Sequence, residues 1–206
     1  MNTKHIINNE MLDRAIIFAT KAHAGITRKG DGRPYIMHPL AVAQRVFEYV
    51  PTKTLLKAVV AVLHDVVEDV YQDNIQEGLR IIREEFGDAV ASMVAELTLE
   101  KAKYKSIGKK EYLLQELNTM TDDALDVKLC DRWENVYDMK SMDDEFKLYY
   151  CEQTRYILSK LTRELTQTHM RLIRKIEKEC FNYDNNTSSC LQPLSMDRLV
   201  WIEINK

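Results

Sequence analysis

Turn-forming residues are scarce in this chain, and this limits the fold more than any other feature of the sequence. Six glycines and four prolines stand among 206 residues, about half of average usage. Three of the glycines and one proline fall in a single stretch, residues 25–34. So few chain reversals, in a sequence rich in Leu, Lys, Glu and Ala, are typical of long helices and not of a many-stranded sheet. The sequence therefore predicts an all-α protein.

Apolar residues recur at spacings of three and four along most of the chain, which is the pattern of amphipathic helices. The predicted helices are 9–23, 38–50, 52–70, 75–86, 88–97, 111–120 and 122–139, with one or two more between 144 and 180. Residues 98–110 contain five lysines and are predicted to form a loop or a frayed helix start. We expect one helical domain over residues 1–180 and a tail over 181–206, in which residues 199–204 form a short strand or a docked segment.

Net charge and hydropathy indicate which kinds of molecule this protein is expected to bind. The net charge of −3 and the pI near 6.0 give no basic footprint for nucleic acid. Apolar runs are far shorter than the ~20 residues of a membrane span, and residues 1–10 lack the apolar core of a signal peptide. The four cysteines (130, 151, 180 and 190) form no CxxC pair and are expected to be reduced. These features predict a cytoplasmic protein with a small-molecule partner and no membrane or nucleic-acid partner.

The loop at residues 25–34 concentrates glycine and cations in one place. Backbone freedom and the cations Arg28 and Lys29 suit close approach to an anion. Composition alone favours the plainer interpretation, an ordinary surface loop.

The most apolar predicted helix carries a polar anomaly. His64, Asp65, Glu68 and Asp69 follow a run of aliphatic residues, and at about 100° per residue they share one arc of about 140°. Buried carboxylates that are charged and unpaired cost several kcal/mol each, and a divalent cation is a compact compensation. The alternative is a helix end that emerges into solvent while His64 hydrogen-bonds in the core.

Two further residues extend this candidate ligand set. His38 stands at a predicted helix start, and Asp131 lies on an amphipathic helix, sharing its face with Lys128 and Asn135. Two histidines and two aspartates suit Mn²⁺, Zn²⁺ or Fe²⁺ better than Ca²⁺. Such an ion would lower the pKa of a bound water and polarise a phosphoryl group.

The spacing of these residues resembles the H…HD…D signature of the HD metal-dependent phosphohydrolase superfamily. Three segments, residues 28–39 (RKGDGRPYIMHP), 64–69 (HDVVED) and 127–135 (VKLCDRWEN), are similar to the hydrolase domain of the RelA/SpoT alarmone enzymes. The resemblance covers about residues 10–165 and implies an HD-domain helical bundle. It further implies a stand-alone alarmone hydrolase like the metazoan-type SpoT homologues.

What the resemblance implies is a guanosine-3′,5′-bis(diphosphate) 3′-pyrophosphohydrolase of the stringent response, which converts ppGpp and pppGpp to GDP or GTP and pyrophosphate. Its implied manganese ligands are His38, His64, Asp65 and Asp131. Its implied catalytic pair is Glu68 and Asp69. Its implied substrate contacts are Arg28, Lys29, Lys101 and Asn135.

Three other functions stay open at this point. The first is another HD-type phosphohydrolase, acting on a nucleoside monophosphate, a cyclic nucleotide or the 2′-phosphate of NADPH. The second is a non-catalytic alarmone-binding protein, and the third is a purely structural bundle. Val70, where relatives usually have Thr, and residues 98–110 depart from the family pattern.

Overall fold

The computed structural model describes residues 5–186, apart from the side chains of residues 101, 102, 104 and 184–186. Eleven α-helices are found there, with a short 3-10 helix, Met139–Ser141, after the ninth. They are α1 Asn9–Ala22, α2 Met37–Tyr49, α3 Thr54–Leu63, α4 Val66–Val70, α5 Ile75–Phe86, α6 Asp88–Leu97, α7 Lys101–Ile107, α8 Lys109–Thr119, α9 Asp122–Asp138, α10 Asp144–Ser159 and α11 Gln167–Asn186. Over the described range the only β-type pairing is one isolated bridge, between Thr27 and Pro34. The predicted all-α fold is confirmed.

Two helices form the centre of the bundle. α3 buries seven of its ten residues because it is apolar on most of its faces. α9 buries twelve of its seventeen residues, five of which are charged. α2 and α1 pack against α3, while α9 lies against α2, α3, α6 and α11. This arrangement brings the start of α2, the end of α3 and the middle of α9 together. No helix among residues 5–186 combines the length and apolar character needed to cross a bilayer.

The helix expected over residues 52–70 is two helices, so that prediction was wrong. α3 ends at Leu63 and α4 begins at Val66. Asp65 has φ −93° and ψ −9°, and the ring of His64 bonds back to the Ala61 carbonyl at 2.7 Å. In a regular helix the side chains of two consecutive residues point in directions about 100° apart. The turn at His64 and Asp65 changes these directions.

The segment 98–110 is also more ordered than expected. It contains α7, where a loop or a frayed start was predicted. Glu100 forms an exposed ion pair with Lys103 at 2.7 Å, and Gly108, at φ +85°, makes the turn into α8. The prediction of a loop was wrong because lysine is a good helix former, so several lysines do not by themselves indicate a loop.

One or two helices were expected between residues 144 and 180, and the structure has two, α10 and α11. α11 continues past residue 180, the predicted domain boundary, to Asn186; the division into domain and tail stays a prediction. The predicted strand at 199–204 and Cys190 lie outside the described residues.

Candidate active site

The four residues predicted to bind a metal come together from three parts of the bundle. His38 stands in the first turn of α2, His64 and Asp65 form the turn between α3 and α4, and Asp131 lies in the middle of α9. One ligand atom from each of His38, His64 and Asp65 lies within 4.8 Å of the others. The Oδ1 atom of Asp131 is 3.2 Å from Nε2 of His38 and 3.7 Å from Nε2 of His64.

The hydrogen bonds of His64 show that this cluster fits a cation. Its Nδ1 lies 2.7 Å from the carbonyl of Ala61, and because a carbonyl only accepts, Nδ1 carries the proton. In the neutral ring, which is the form that binds a metal, Nε2 then presents a lone pair to the Asp65 carboxylate oxygen 3.0 Å away, and this buried nitrogen makes no hydrogen bond of good geometry among the described residues. Two acceptors at this distance, with the outer ring nitrogen fixed by a carbonyl, form the arrangement of a metal-ligating histidine.

Electrostatics at the cluster favour positive charge at the same point. Burial lowers the pKa of His64, but the carboxylates of Asp65 and Asp131 outweigh it and raise that pKa to about 10. Burial raises the pKa of Asp65, yet the neighbouring His64 and His38 lower it overall. The cluster therefore stabilises a cation between its rings and carboxylates.

Asp131 is held by its neighbours on α9. Lys128 lies 3.0 Å from its Oδ2, and Asn135 donates to its Oδ1 at 2.5 Å. Both contacts join residues three or four positions apart on one helix face, as the sequence predicted. They orient the carboxylate toward His38 and His64.

Glu68 and Asp69 follow on α4 and line the same cavity. The backbone N–H of Leu99 donates to Glu68 at 3.4 Å. Burial raises the pKa of Glu68, and the negative charge of Asp65 adds to this effect. A carboxyl group with a raised pKa next to this histidine–aspartate cluster is suited to accept and return a proton.

The cavity above the cluster is large enough for a nucleotide. Its volume is about 1090 Å³, at the upper end of ligand pockets of ~300–1,000 Å³. His64 lies buried beneath the cavity. Eight of the ten predicted metal, catalytic and substrate residues line it: Arg28, Lys29, His38, Asp65, Glu68, Asp69, Asp131 and Asn135. Of the predicted set, the side chain of Lys101 lies outside the described part of the chain.

The glycine-rich loop forms one wall of this cavity, so the interpretation as a plain surface loop is not supported. Arg28 donates to Asn135 at 3.2 Å and to Asp138 at 3.3 Å. Its guanidinium carbon lies 5.7 Å from the ring centre of Tyr35. Asn135 thus links Arg28 to Asp131, which joins the loop to the cluster of candidate metal ligands.

Sequence reasoning missed two aromatic residues beside the cluster. The Tyr35 hydroxyl donates a hydrogen bond to Asp65 at 2.8 Å. His23 packs against Tyr35 with ring centres 4.8 Å apart and faces Asp69. The available signals were the spacing of Tyr35 from His38 and a histidine at the end of an apolar helix face.

Comparison with known proteins agrees with this geometry. A family model described as an HD domain matches residues 15–178. The chain is 33% identical over 157 residues to a GTP pyrophosphokinase of Streptomyces coelicolor, an alignment that covers 75% of this chain and 18% of that protein. It is 35% identical over 159 residues to the guanosine-3′,5′-bis(diphosphate) 3′-pyrophosphohydrolase of Aquifex aeolicus, covering 76% and 22% respectively.

A third relative is the bifunctional (p)ppGpp synthase/hydrolase SpoT of Escherichia coli, at 32% identity over 168 residues and with 78% and 22% of the two chains covered. The chain thus spans about a fifth of the length of these relatives. A solved structure described as a metazoan orthologue of SpoT that hydrolyses ppGpp superposes with a TM-score of 0.66 at 20% identity, over 82% of this chain and 94% of that one. This last likeness supports the fold.

Proposed function

The chain belongs to the HD domain family, and on that premise we propose that it hydrolyses guanosine 3′-pyrophosphates. The products would be pyrophosphate and GDP from ppGpp, or pyrophosphate and GTP from pppGpp. The observation that carries the proposal is the buried, unpartnered Nε2 of His64 facing Asp65 at 3.0 Å, at the floor of a cavity of nucleotide size. The names of the relatives from Aquifex aeolicus and Escherichia coli support the same substrate class.

His38, His64, Asp65 and Asp131 would hold a divalent transition metal, for which we propose Mn²⁺. This donor set of two imidazoles and two carboxylates suits Mn²⁺, Zn²⁺ and Fe²⁺, and the resemblance to alarmone hydrolases favours Mn²⁺ among them. When bound, such an ion polarises a phosphoryl group and lowers the pKa of a bound water.

Glu68 and Asp69 would handle the protons of the reaction. Hydrolysis forms a bond from a water oxygen to phosphorus and breaks the bond from phosphorus to the ribose 3′-oxygen. The water loses a proton, for which the buried Glu68 carboxylate is a suitable acceptor, and the 3′-oxygen gains one, for which Asp69 is the neighbouring carrier. Positioned groups of this kind contribute about 10²–10⁴-fold to the rate.

Arg28, Lys29, Asn135 and Lys101 would bind the substrate. The planar guanidinium of Arg28 suits stacking on a purine, and Lys29 and Lys101 offer charges to phosphate. Contacts to Asn135 and Asp138 hold Arg28 in the cavity wall before substrate arrives. This preorganisation lowers the entropy lost on binding.

The test is to incubate the purified protein with Mn²⁺ and a panel of ppGpp, pppGpp, NADPH and nucleoside monophosphates, and to identify the phosphate species released. Pyrophosphate from ppGpp is the expected product. Orthophosphate as the initial product would favour a general HD phosphatase. Tight binding of ppGpp without release of either species would favour an alarmone-binding protein.

The matched control is Glu68→Gln, which keeps the size of the side chain and removes its charge. It should bind Mn²⁺ as the unmodified protein does and release little pyrophosphate. Equal activity of the two proteins would refute the catalytic role of Glu68.

A further inference from the structure

His23 is a buried titratable residue for which the proposed reaction has no assigned use. It caps the C-terminal end of α1 and is 3% exposed. Its ring is held from two directions: Nδ1 lies 3.1 Å from the carbonyl of Ala19, and one face packs against Tyr35 with an angle of 32° between the rings. The orientation of the imidazole is therefore fixed by the fold.

This fixed ring presents its remaining nitrogen to Asp69. Nε2 of His23 lies 3.4 Å from Oδ2 of Asp69. Both atoms are buried, and neither has a hydrogen-bond partner elsewhere among the described residues. A buried carboxylate oxygen needs a donor, and Nε2 is the polar atom that faces it.

The contact bears on how Asp69 is presented to substrate. Asp69 lies near the end of α4, a helix of five residues, and its side chain is 31% exposed toward the cavity that it lines. A carboxylate at such a place rotates freely unless one of its oxygens is held. A separation of 3.4 Å is at the outer edge of a hydrogen bond, and such contacts often tighten when substrate binds.

We infer that His23 is a positioning residue for the proposed hydrolysis: as an imidazolium it donates from Nδ1 to the Ala19 carbonyl and from Nε2 to one oxygen of Asp69, so that the other oxygen faces the substrate. The inference rests on the proposed function, because it gives Asp69 the proton-carrying role described above. Since Asp69 acts on the reacting atoms and not on the ground-state complex, loss of this hydrogen bond should lower kcat and leave KM nearly unchanged.

Two substitutions distinguish the contribution of Nδ1 from that of Nε2. The side-chain nitrogen of Gln lies about where Nε2 lies in histidine, and that of Asn lies about where Nδ1 lies. His23→Gln therefore keeps a donor toward Asp69, while His23→Asn keeps the bond to Ala19 and loses the contact with Asp69. Both remove the ring that packs on Tyr35, so each controls for the packing loss of the other.

The expected result is that His23→Asn lowers kcat about 10- to 100-fold, less than the ~10²–10⁴-fold contributed by an acid–base group itself. His23→Gln should recover most of that loss, and both variants should bind Mn²⁺ normally. In an Asp69→Asn background, His23→Asn should cause no further loss. Equal kcat values for the Gln and Asn variants, or an effect on KM alone, would overturn the inference.

A readout without turnover separates this inference from the proposed function. In the Zn²⁺-loaded full chain, which is diamagnetic, the ¹⁵N resonance of His23 Nε2 should report a bound proton and should shift in Asp69→Asn. A His23 resonance that is identical in the two proteins would overturn the inference even if ppGpp is hydrolysed. An Asp69-dependent resonance in a protein that leaves ppGpp intact would support the contact and refute the proposed function.

Discussion

Asp131→Asn should cost this protein both its metal and part of its stability. The Asp131 carboxylate faces the two histidines with one oxygen and meets Lys128 with the other, at 3.0 Å. Its side chain is 8% exposed and that of Lys128 is 10% exposed. Asparagine keeps the volume but removes the charge, which leaves the Lys128 ammonium buried beside a neutral amide.

The size of the effect follows from this burial. Removing one partner of a buried ion pair costs about 3–5 kcal/mol, because the remaining charge is uncompensated. The lower end applies here, since the amide oxygen still accepts one hydrogen bond from Lys128 and the carboxylates of Asp65 and Glu68 still act on its charge. For a chain of this length, a loss of about 3 kcal/mol lowers the melting temperature by roughly 6–12 °C.

The assay is thermal unfolding followed by circular dichroism, together with metal content by elemental analysis. Adding Lys128→Met to Asp131→Asn should restore most of the melting temperature, because the stranded charge is gone, but none of the metal. Full metal content in Asp131→Asn would refute the ligand assignment. A double variant no more stable than the single one would refute the explanation from the buried charge.

Three further predictions follow from the same geometry. Glu68→Gln should keep its metal and lose about 10²–10⁴-fold in turnover; in EDTA-treated protein it should also melt at a higher temperature than the unmodified chain at neutral pH. Burial raises the pKa of Glu68 in the folded state above its ordinary value of 4.5. The bound proton therefore stabilises the fold below pH 4.5, and this stability is lost as the pH rises and the buried group becomes charged. The higher melting temperature of Glu68→Gln over the unmodified chain should accordingly vanish below pH 4.5. Arg28→Ala should raise KM for ppGpp about 5- to 150-fold, from a contact worth ~1–3 kcal/mol, with metal content unchanged; an unaltered KM would return Arg28 to a structural role. Gly30→Ala should lower stability in urea by about 1–3 kcal/mol, because φ is +101° and an added Cβ would lie 2.7 Å from Ser141 Oγ, whereas Gly25→Ala, at φ +82° in open space, should lose only the smaller backbone part.

Local patterns predicted much of this molecule. The helices α5 and α6 match the expected residues, and α1, α2, α8 and α9 differ by no more than two residues at either end, because each is set by its own apolar period and caps. Lys128 and Asn135 were placed on the face of Asp131 by helical spacing, and the structure shows both bonded to it.

Contacts between distant segments could not be predicted in this way. Asp138 receives Arg28 from a loop 110 positions earlier, and His23 reaches Asp69 only because α1 packs near α4. The turn at His64 and Asp65 depends on tertiary packing that overrides the apolar period of the surrounding residues. Periodicity reports which face of a helix is buried, but not which side chain of another helix meets it.

The proposed metal ligands come from three separate parts of the chain, so metal binding at this cluster would depend on the whole fold. His38 and Asp131 are 93 residues apart in the chain, so an unfolded chain brings them together only at a large loss of conformational entropy. An ion that binds the native arrangement and not the unfolded chain shifts the folding equilibrium by mass action. Conversely, a substitution far from the cavity that destabilises the fold should weaken the apparent metal affinity without changing a ligand. One example is loss of the contact between His169 of α11 and Asp126 of α9, which are 3.3 Å apart.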